Sequence, residues 1–271
     1  MRFFFTTAPM PCPYLPGRLE RRLVTELDGK DPVALHDALS QAGFRRSHGV
    51  AYAPACRDCN ACVAVRVCVN EFTPNRTQSR LFHRNRRLKI AERPPQATSE
   101  QYALFRAYQF ARHRGGEMAR MDFFDYQLLV EDTPVDSVIF ECREETGRLV
   151  AACLADRLGD GYSAVYSFFE PAWERASLGT WMILTLIRRA RDRGLPYVYL
   201  GFWIDECRKM SYKVKFQPLE AFTVEGWRRL AVGTGKGEAD AAAESFTLSS
   251  ATPVGGPGAV AAPTTVFNDK R

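Results

Sequence analysis

The sequence predicts an α+β fold, and three features predict it. Residues 135–169 hold three consecutive strand-like runs, Val135–Cys142, Leu149–Leu158 and Tyr162–Phe169, joined by the turn signals EETG and GDG with no room for a helix between them. Residues 177–193, SLGTWMILTLIRRARDR, are apolar almost all round in their first half and read as a buried helix, with the apolar strand Tyr197–Phe202 after it. Ahead of both, strand-like stretches at 44–52 and 63–69 flank a turn that carries three cysteines. The expected organisation is an N-terminal cysteine-containing α/β lobe over 1–95, a C-terminal domain over 96–230, and a tail over 231–271.

The elements follow in order. Residues 1–30 read as loop and turn, broken by Pro9, Pro11, Pro13, Pro16 and Gly17. Asp31 is placed to cap a helix, Pro32 suits its first position, Leu35, Ala38 and Leu39 give its apolar stripe, and Gly43 ends it. Asn75 or Thr77 caps a second helix expected to run to about Ala91, where Pro94-Pro95 stops it. PPQATS is the expected boundary between the lobes. Ser99 caps a helix over about 99–113, and Gly115-Gly116 end it. After the buried helix and its strand, the basic segment CRKMSYKVKF leads to a last strand at about 219–225. Residues 231–271 are rich in Ala, Gly, Ser, Thr and Pro; such a composition buries too little surface to offset the entropy of ordering, so a disordered tail is expected.

Composition narrows the function classes. With 271 residues, 46% hydrophobic and 25% charged, the chain can build a sizeable core. It has no apolar run near the length of a membrane span, and MRFFFTTAPMPC lacks the long apolar centre of a secretory signal, so a cytoplasmic protein is expected. Eight cysteines in that compartment read as metal ligands or buried thiols rather than disulfides. The net charge of +6 is mild, but Arg76, Arg80, Arg84, Arg86, Arg87, Lys89 and Arg93 stand against the single acid Glu92. Such a stripe is either a solvated face or a footprint for nucleic-acid phosphate.

Cys56, Cys59 and Cys62 have C-x2-C-x2-C spacing, and Cys12 in CPYLPGR is the candidate fourth thiol. Four thiolates suit a structural zinc or an iron–sulfur cluster, and reduced thiols knitting a loop are the alternative. Cys68, Cys142, Cys153 and Cys207 lie in or beside apolar segments and are expected in the core. His36, His48, His83 and His113 are scattered, with no partner at a catalytic spacing.

CPYLPGR, GFRRS, YAPAC-x2-C-x2-C-V-x-V-R-V and R-x3-RN, in this order, resemble the bacterial aspartate/glutamate leucyltransferases, relatives of the arginyl-tRNA–protein transferases. GYSAVYSFFEP, SLGTW, GFWI and CRKMSYKVKFQPLE extend the resemblance to about residues 10–228. It implies a GNAT-like acyltransferase fold in the C-terminal part, which the order of strands and buried helix suits. It implies transfer of leucine from leucyl-tRNA to proteins beginning with Asp or Glu, marking them for degradation by the N-end rule, with no cofactor for catalysis and no membrane partner. Arginyl transfer and acetyl-CoA-dependent N-acetylation are the alternatives; a zinc-dependent nucleic-acid-binding module without catalysis is a third. RASLGTW has one glycine, Gly179, where an acetyl-CoA enzyme carries a fuller Gly-rich arm.

On this reading Arg45, Arg46 and Arg66 are candidates for the acidic N-terminus, since a guanidinium pairs bidentately with a carboxylate. Asp156 is the candidate amine-side carboxylate, and Ser163 and Tyr166 are candidate hydroxyl donors. Arg76, Arg80, Arg84, Arg86 and Arg87 would contact tRNA, and Tyr212 and Lys213 would hold its 3′ end.

Overall fold

The turns and caps read from the sequence set most of the chain path. The computed structural model describes residues 2–231, so the expectation for the tail lies almost wholly outside the described residues. The first thirty residues depart from expectation by pairing as short strands: β1 (Phe5–Thr6), β2 (Met10–Pro11), β3 (Leu19–Glu20) and β4 (Arg22–Glu26). Prolines confine β2 and β3 to a two-residue ribbon, whereas β4, free of proline, buries Val24 and Thr25. The first helix, α1 (Pro32–Gln41), starts where Asp31 Oδ1 accepts the Ala34 N–H at 2.9 Å. The strand expected at 44–52 is a hairpin, β5 (Arg45–Ser47) and β6 (Val50–Pro54), which turns at His48 with φ of 50°.

After β7 (Val63–Cys68), Asn75 and Gln78 close a capping box on α2 (Arg76–Arg84). The helix ends at Asn85, short of Ala91, because the Asn85 side chain is buried and donates to the Ala176 carbonyl at 2.9 Å. Residues beyond it form the edge strand β8 (Lys89–Arg93). The cap of α3 (Ser99–Arg112) is Thr98, with Gln101 completing its box, rather than Ser99. A helix absent from the sequence expectation, α4 (Phe123–Glu131), begins at an Asp122–Asp125 box. The expected series then follows: β9 (Ser137–Arg143), β10 (Leu149–Leu158), β11 (Gly161–Phe169), α5 (Leu178–Asp192) and β12 (Tyr197–Trp203). A short 3-10 helix, Ser211–Lys215, precedes the final hairpin β13 (Leu219–Thr223) and β14 (Gly226–Arg229).

Two sheets carry the site. One has the order β1-β4-β6-β5; the larger has eight strands in the order β14-β13-β7-β12-β11-β10-β9-β8. The antiparallel run β9–β10–β11, the crossover helix α5 and the parallel strand β12 beside β11 make the α+β arrangement that the element order implies. The boundary expected at PPQATS does not divide this sheet: β7 lies between β13 and β12, and β8 pairs with β9.

Both faces of the large sheet are covered, so its strands read as nearly continuous apolar runs. Val138, Phe140, Ala151, Cys153 and Ala155 pack with Leu178, Trp181, Met182, Leu186 and Ile187 of α5. The alternate residues, Ile139, Ala152 and Leu154, pack with Leu104 and Phe105 of α3 and Tyr126 and Val130 of α4. Each such large side chain contributes about 1.5–3 kcal/mol on burial. Cys68, Cys142, Cys153 and Cys207 are buried, as expected. Among the described residues no helix is long and apolar enough to cross a membrane.

Candidate active site

The site begins where two strands part. β11 and β12 pair in parallel only from Gly161 to Ser163 against Tyr197 to Tyr199. A Cβ on Gly161 would run into the Tyr197 carbonyl, so glycine is what permits this close start. Beyond it the ladder stops. A bulge between Leu154 and Ala155 disturbs the β10–β11 register, and another between Tyr199 and Gly201 disturbs β12.

Carbonyls freed by such a divergence need donors. Two cations supply them. Arg45, from β5, donates through Nη2 to the Ala164 and Val165 carbonyls at 3.2 and 3.1 Å. Its guanidinium lies on Gly201, whose φ of 71° and lack of a Cβ make room for it. Lys213 is 4% exposed and donates from Nζ to the Phe202 carbonyl. Burial, and then the charge of Arg45, pull the Lys213 amine down to about 7. Among the described residues, neither Arg45 nor Lys213 has a carboxylate partner.

Aromatic side chains surround this pair. Tyr212 lies within electrostatic reach of Arg45 and Tyr108. Tyr108 stacks on Phe169 with ring centroids 4.8 Å apart. The Tyr166 hydroxyl accepts from Gln109 Nε2 at 2.7 Å, and burial pushes its pKa up to about 12, so it stays a neutral donor. Ser163 is half-buried at the last paired position before the strands part. Tyr166 and Ser163 thus both lie on β11, the strand that borders the divergence.

Three other expected site residues are engaged elsewhere. Asp156 is fully buried; Arg46 grips it through Nε and Nη2, each at 2.8 Å, and the Ser137 hydroxyl donates to it at 2.6 Å. His36 Nε2 stands 3.6 Å away. A carboxylate so enclosed cannot receive an amine's proton, and Arg46 cannot reach a substrate. Arg66 is held by Glu220 at 2.8 Å and by the Tyr199 hydroxyl at 3.1 Å, with its guanidinium 3.5 Å from the Tyr197 ring centroid. Lys213, buried, is likewise no surface contact for tRNA. The pairing of distant residues gave no sign in the sequence, and Lys213 is not set apart there from Lys209 and Lys215 of the same basic segment.

The basic stripe is exposed. Arg76, Arg80 and Arg84 on α2, and Arg86 and Arg87 after it, all face solvent. Arg87 lies 3.6 Å from Glu145, and both remain largely solvated.

The four candidate thiols gather. Burial, followed by Cys56, Cys12 and Cys59, raises the Cys62 thiol to about 12. Arg18 Nη1 donates to Cys59 Sγ at 3.2 Å and the Leu15 N–H to Cys12 Sγ at 3.4 Å. Four mutually repelling sulfurs with such donors suit a soft cation chemically. Their placement is looser than a finished site: among the described residues no group of three or more His, Cys, Asp or Glu is disposed to hold a metal ion. Cys12, Cys59 and Cys62 also pack with Leu15, Ile204, Cys207 and Met210, the segment leading to Lys213.

The N-terminus of α5 is poorly suited to a pyrophosphate. Ser177 there adopts φ of 47° without a capping hydrogen bond, and the Phe169 ring covers Gly179 so closely that a Cβ would sit 3.0 Å from it. An anion would have to displace that ring.

Residues 10–80 match the family described as "Arginine-tRNA-protein transferase, N terminus" and residues 100–223 the one described as "Arginine-tRNA-protein transferase, C terminus". The "Aspartate/glutamate leucyltransferase" of Paramagnetospirillum magneticum is 56% identical over 233 residues, 86% of this chain and 96% of its own length. That of Parvibaculum lavamentivorans is 56% identical over 83% of this chain and 93% of its own length. Among solved structures, "The structure of L-PGS from Bacillus licheniformis" aligns with a TM-score of 0.45 at 14% identity, covering 59% of each chain. With both halves matched in order and more than half of the residues shared along almost the whole of a relative, the chain belongs to the aspartate/glutamate leucyltransferase family of aminoacyltransferases.

Proposed function

We propose that the chain transfers leucine from leucyl-tRNA to the α-amine of proteins beginning with Asp or Glu, in the cytoplasm, creating an N-terminus that marks the protein for degradation. The observation that carries this reading is Arg45, set at the parting of β11 and β12 with, among the described residues, no carboxylate of its own. An uncompensated positive charge there favours an anionic ligand. A carboxylate one side chain away from the reacting amine meets that need.

The donor is already an activated ester, and the acceptor amine, with pKa of about 8, is partly neutral at working pH. Holding the two in line supplies much of the acceleration. Arg45 takes the acceptor's carboxylate, Tyr166 and Ser163 offer hydroxyls to the tetrahedral oxyanion, and the stripe from Arg76 to Arg87 receives tRNA phosphates. Asp156, Arg46 and Arg66 hold the scaffold. A zinc ion or iron–sulfur cluster at Cys12, Cys56, Cys59 and Cys62 would tie the N-terminal loop and take no part in the reaction.

The test incubates the protein with peptides beginning Asp, Glu, Ala or Lys and with tRNA charged with Leu, Arg or Phe, and reads the peptide by mass. Leucine added to the Asp and Glu peptides alone is expected. Arginine in its place would move the chain to the arginyl reading, and acetylation from acetyl-CoA would overturn aminoacyl transfer.

A further inference from the structure

Beside the cysteine turn lies a second group of arginines that the reading above does not use. Arg18, Arg21 and Arg57 line a cavity of about 420 Å³, together with Pro9, Leu19 and Asp58. Its size falls within the range of small-molecule sites. Three separate segments bring the arginines there. Arg18 follows the turn at Gly17, and its carbonyl accepts the Cys12 N–H at 2.9 Å. Arg21 stands between β3 and β4, and its carbonyl accepts the Ala55 N–H at 2.8 Å. Arg57 follows Cys56 on the cysteine turn.

The charge of this cavity is unbalanced. Three guanidiniums stand against one lining carboxylate, Asp58, and among the described residues none of the three forms an ion pair with it. Glu20, next to Arg21 in the chain, is spent on Arg22 at 2.5 Å. Arg18 donates to Cys59 Sγ at 3.2 Å, and Glu206 lies within its electrostatic reach. Arg21 and Arg57 are exposed and, among the described residues, make no side-chain hydrogen bond or ion pair. One guanidinium matches a carboxylate; three suit the several oxygens of a phosphate. Pro9 and the 63% exposed Leu19 add an apolar wall on which a base or ribose can lie.

The cavity lies close to the candidate active site along β6. That strand runs from Tyr52, the cross-strand partner of Arg45, toward Ala55, which bonds to Arg21; three residues of strand span about 10 Å. We infer that Arg18, Arg21 and Arg57 bind a nucleotide phosphate, and that the nucleotide belongs to the single-stranded 3′ end of the tRNA. Its place on the tRNA rests on the transfer proposed above, because an ester brought to Arg45 carries its own 3′ nucleotides within that span. A free nucleotide offers the same phosphate chemistry, and the experiment separates the two sources.

The experiment compares wild type with the double variant Arg21→Gln, Arg57→Gln, since these two side chains hold nothing else in the fold. Filter binding over a salt series uses uncharged tRNA and the same tRNA lacking its last three nucleotides; calorimetry uses ADP. Full-length tRNA is expected to bind the variant about ten- to a hundredfold less tightly than wild type, with the slope of log K against log salt reduced by about 1. The truncated tRNA is expected to bind both proteins alike. Equal binding of full-length tRNA by the two proteins overturns the inference, and so does an equal loss with the truncated one. ADP bound by wild type and lost by the variant, with tRNA binding unchanged, assigns the cavity to a free nucleotide and overturns its place on the tRNA. Slower transfer to peptides that carry acids beyond their first residue, with tRNA binding unchanged, gives the cavity to the acceptor and overturns the inference as well. Should the variant fail to fold, phenylglyoxal labelling of wild type decides: Arg21 and Arg57 shielded by full-length tRNA support the inference, and both left reactive overturn it. A wild type that transfers nothing to any peptide refutes the functional reading itself, and that result is distinct from a variant that binds tRNA as wild type does.

Discussion

Arg46 and Asp156, 110 residues apart in the chain, meet in a buried two-point ion pair. The pair joins β5 of the small sheet to β10 of the large one. It fixes the strand from which Arg45, the preceding residue, reaches the parting of β11 and β12 with its side chain turned the other way.

Breaking that pair from one side leaves a buried charge uncompensated. Asp156→Asn or Arg46→Met is expected to lose about 3–5 kcal/mol of stability, whereas Arg46→Met with Asp156→Leu recovers most of it. Urea unfolding followed by tryptophan fluorescence measures both. Transfer per folded molecule stays near wild type; a catalytic loss with stability intact would return Asp156 to the chemistry.

His36 gives the fold a dependence on pH. Burial holds its pKa below the ordinary histidine value, and Asp156 offsets this only in part. The unfolded chain therefore binds the proton more readily than the folded one below about pH 6.5. Stability is present above that value and declines as pH falls toward the depressed folded pKa. Urea midpoints between pH 7.5 and 5.5 should fall for wild type and fall less for His36→Gln.

Arg45 and Gly201 should behave as one unit. Arg45→Gln removes a charge-assisted contact to the acceptor, worth about 1.5–3 kcal/mol, or roughly ten- to a hundredfold in kcat/KM for Asp-initiated peptides. Gly201→Ala puts a methyl group into the guanidinium at a backbone angle that disfavours any side chain, and should reproduce the loss. Kinetics on Asp- and Glu-initiated peptides measure the loss, and an unchanged kcat/KM for both would remove Arg45 from acceptor binding.

The α2 arginines should act through salt. Replacing Arg76 and Arg80 by Gln is expected to weaken tRNA binding and reduce the slope of log K against log salt by about 1 for each phosphate left without its arginine. Filter binding over a salt series measures it. An unchanged slope would leave α2 a solvated face.

Local information carried well into the fold. Turn signals separate β9, β10 and β11, the apolar run of α5 spans the sheet, and the Asp31 cap begins α1, because each depends on residues close in sequence. The Asn85 stop of α2 and the pairing of β4 with β6 were not legible, since each is settled by a partner distant in the chain. The cysteines at C-x2-C-x2-C spacing lie near Cys12, yet among the described residues no three of them are disposed to hold a metal ion. Charged residues fared differently. Arg45, Arg46 and Arg66 look alike in sequence, yet one binds carbonyls of β11 where it parts from β12, one is sealed against Asp156 and one is stacked between Tyr197 and Trp227.

By itself the sequence determined the α+β class, the order of elements, the family and the stripe of arginines that meets solvent; periodicity, capping and motif order are local and survive without a structure. Only the tertiary structure decided which charges are spent on the scaffold and which stay uncompensated at the parting of β11 and β12. A charge's role depends on whether a partner across the fold neutralises it, and the partners of Asp156, Arg66 and Lys213 are set by strand register and burial.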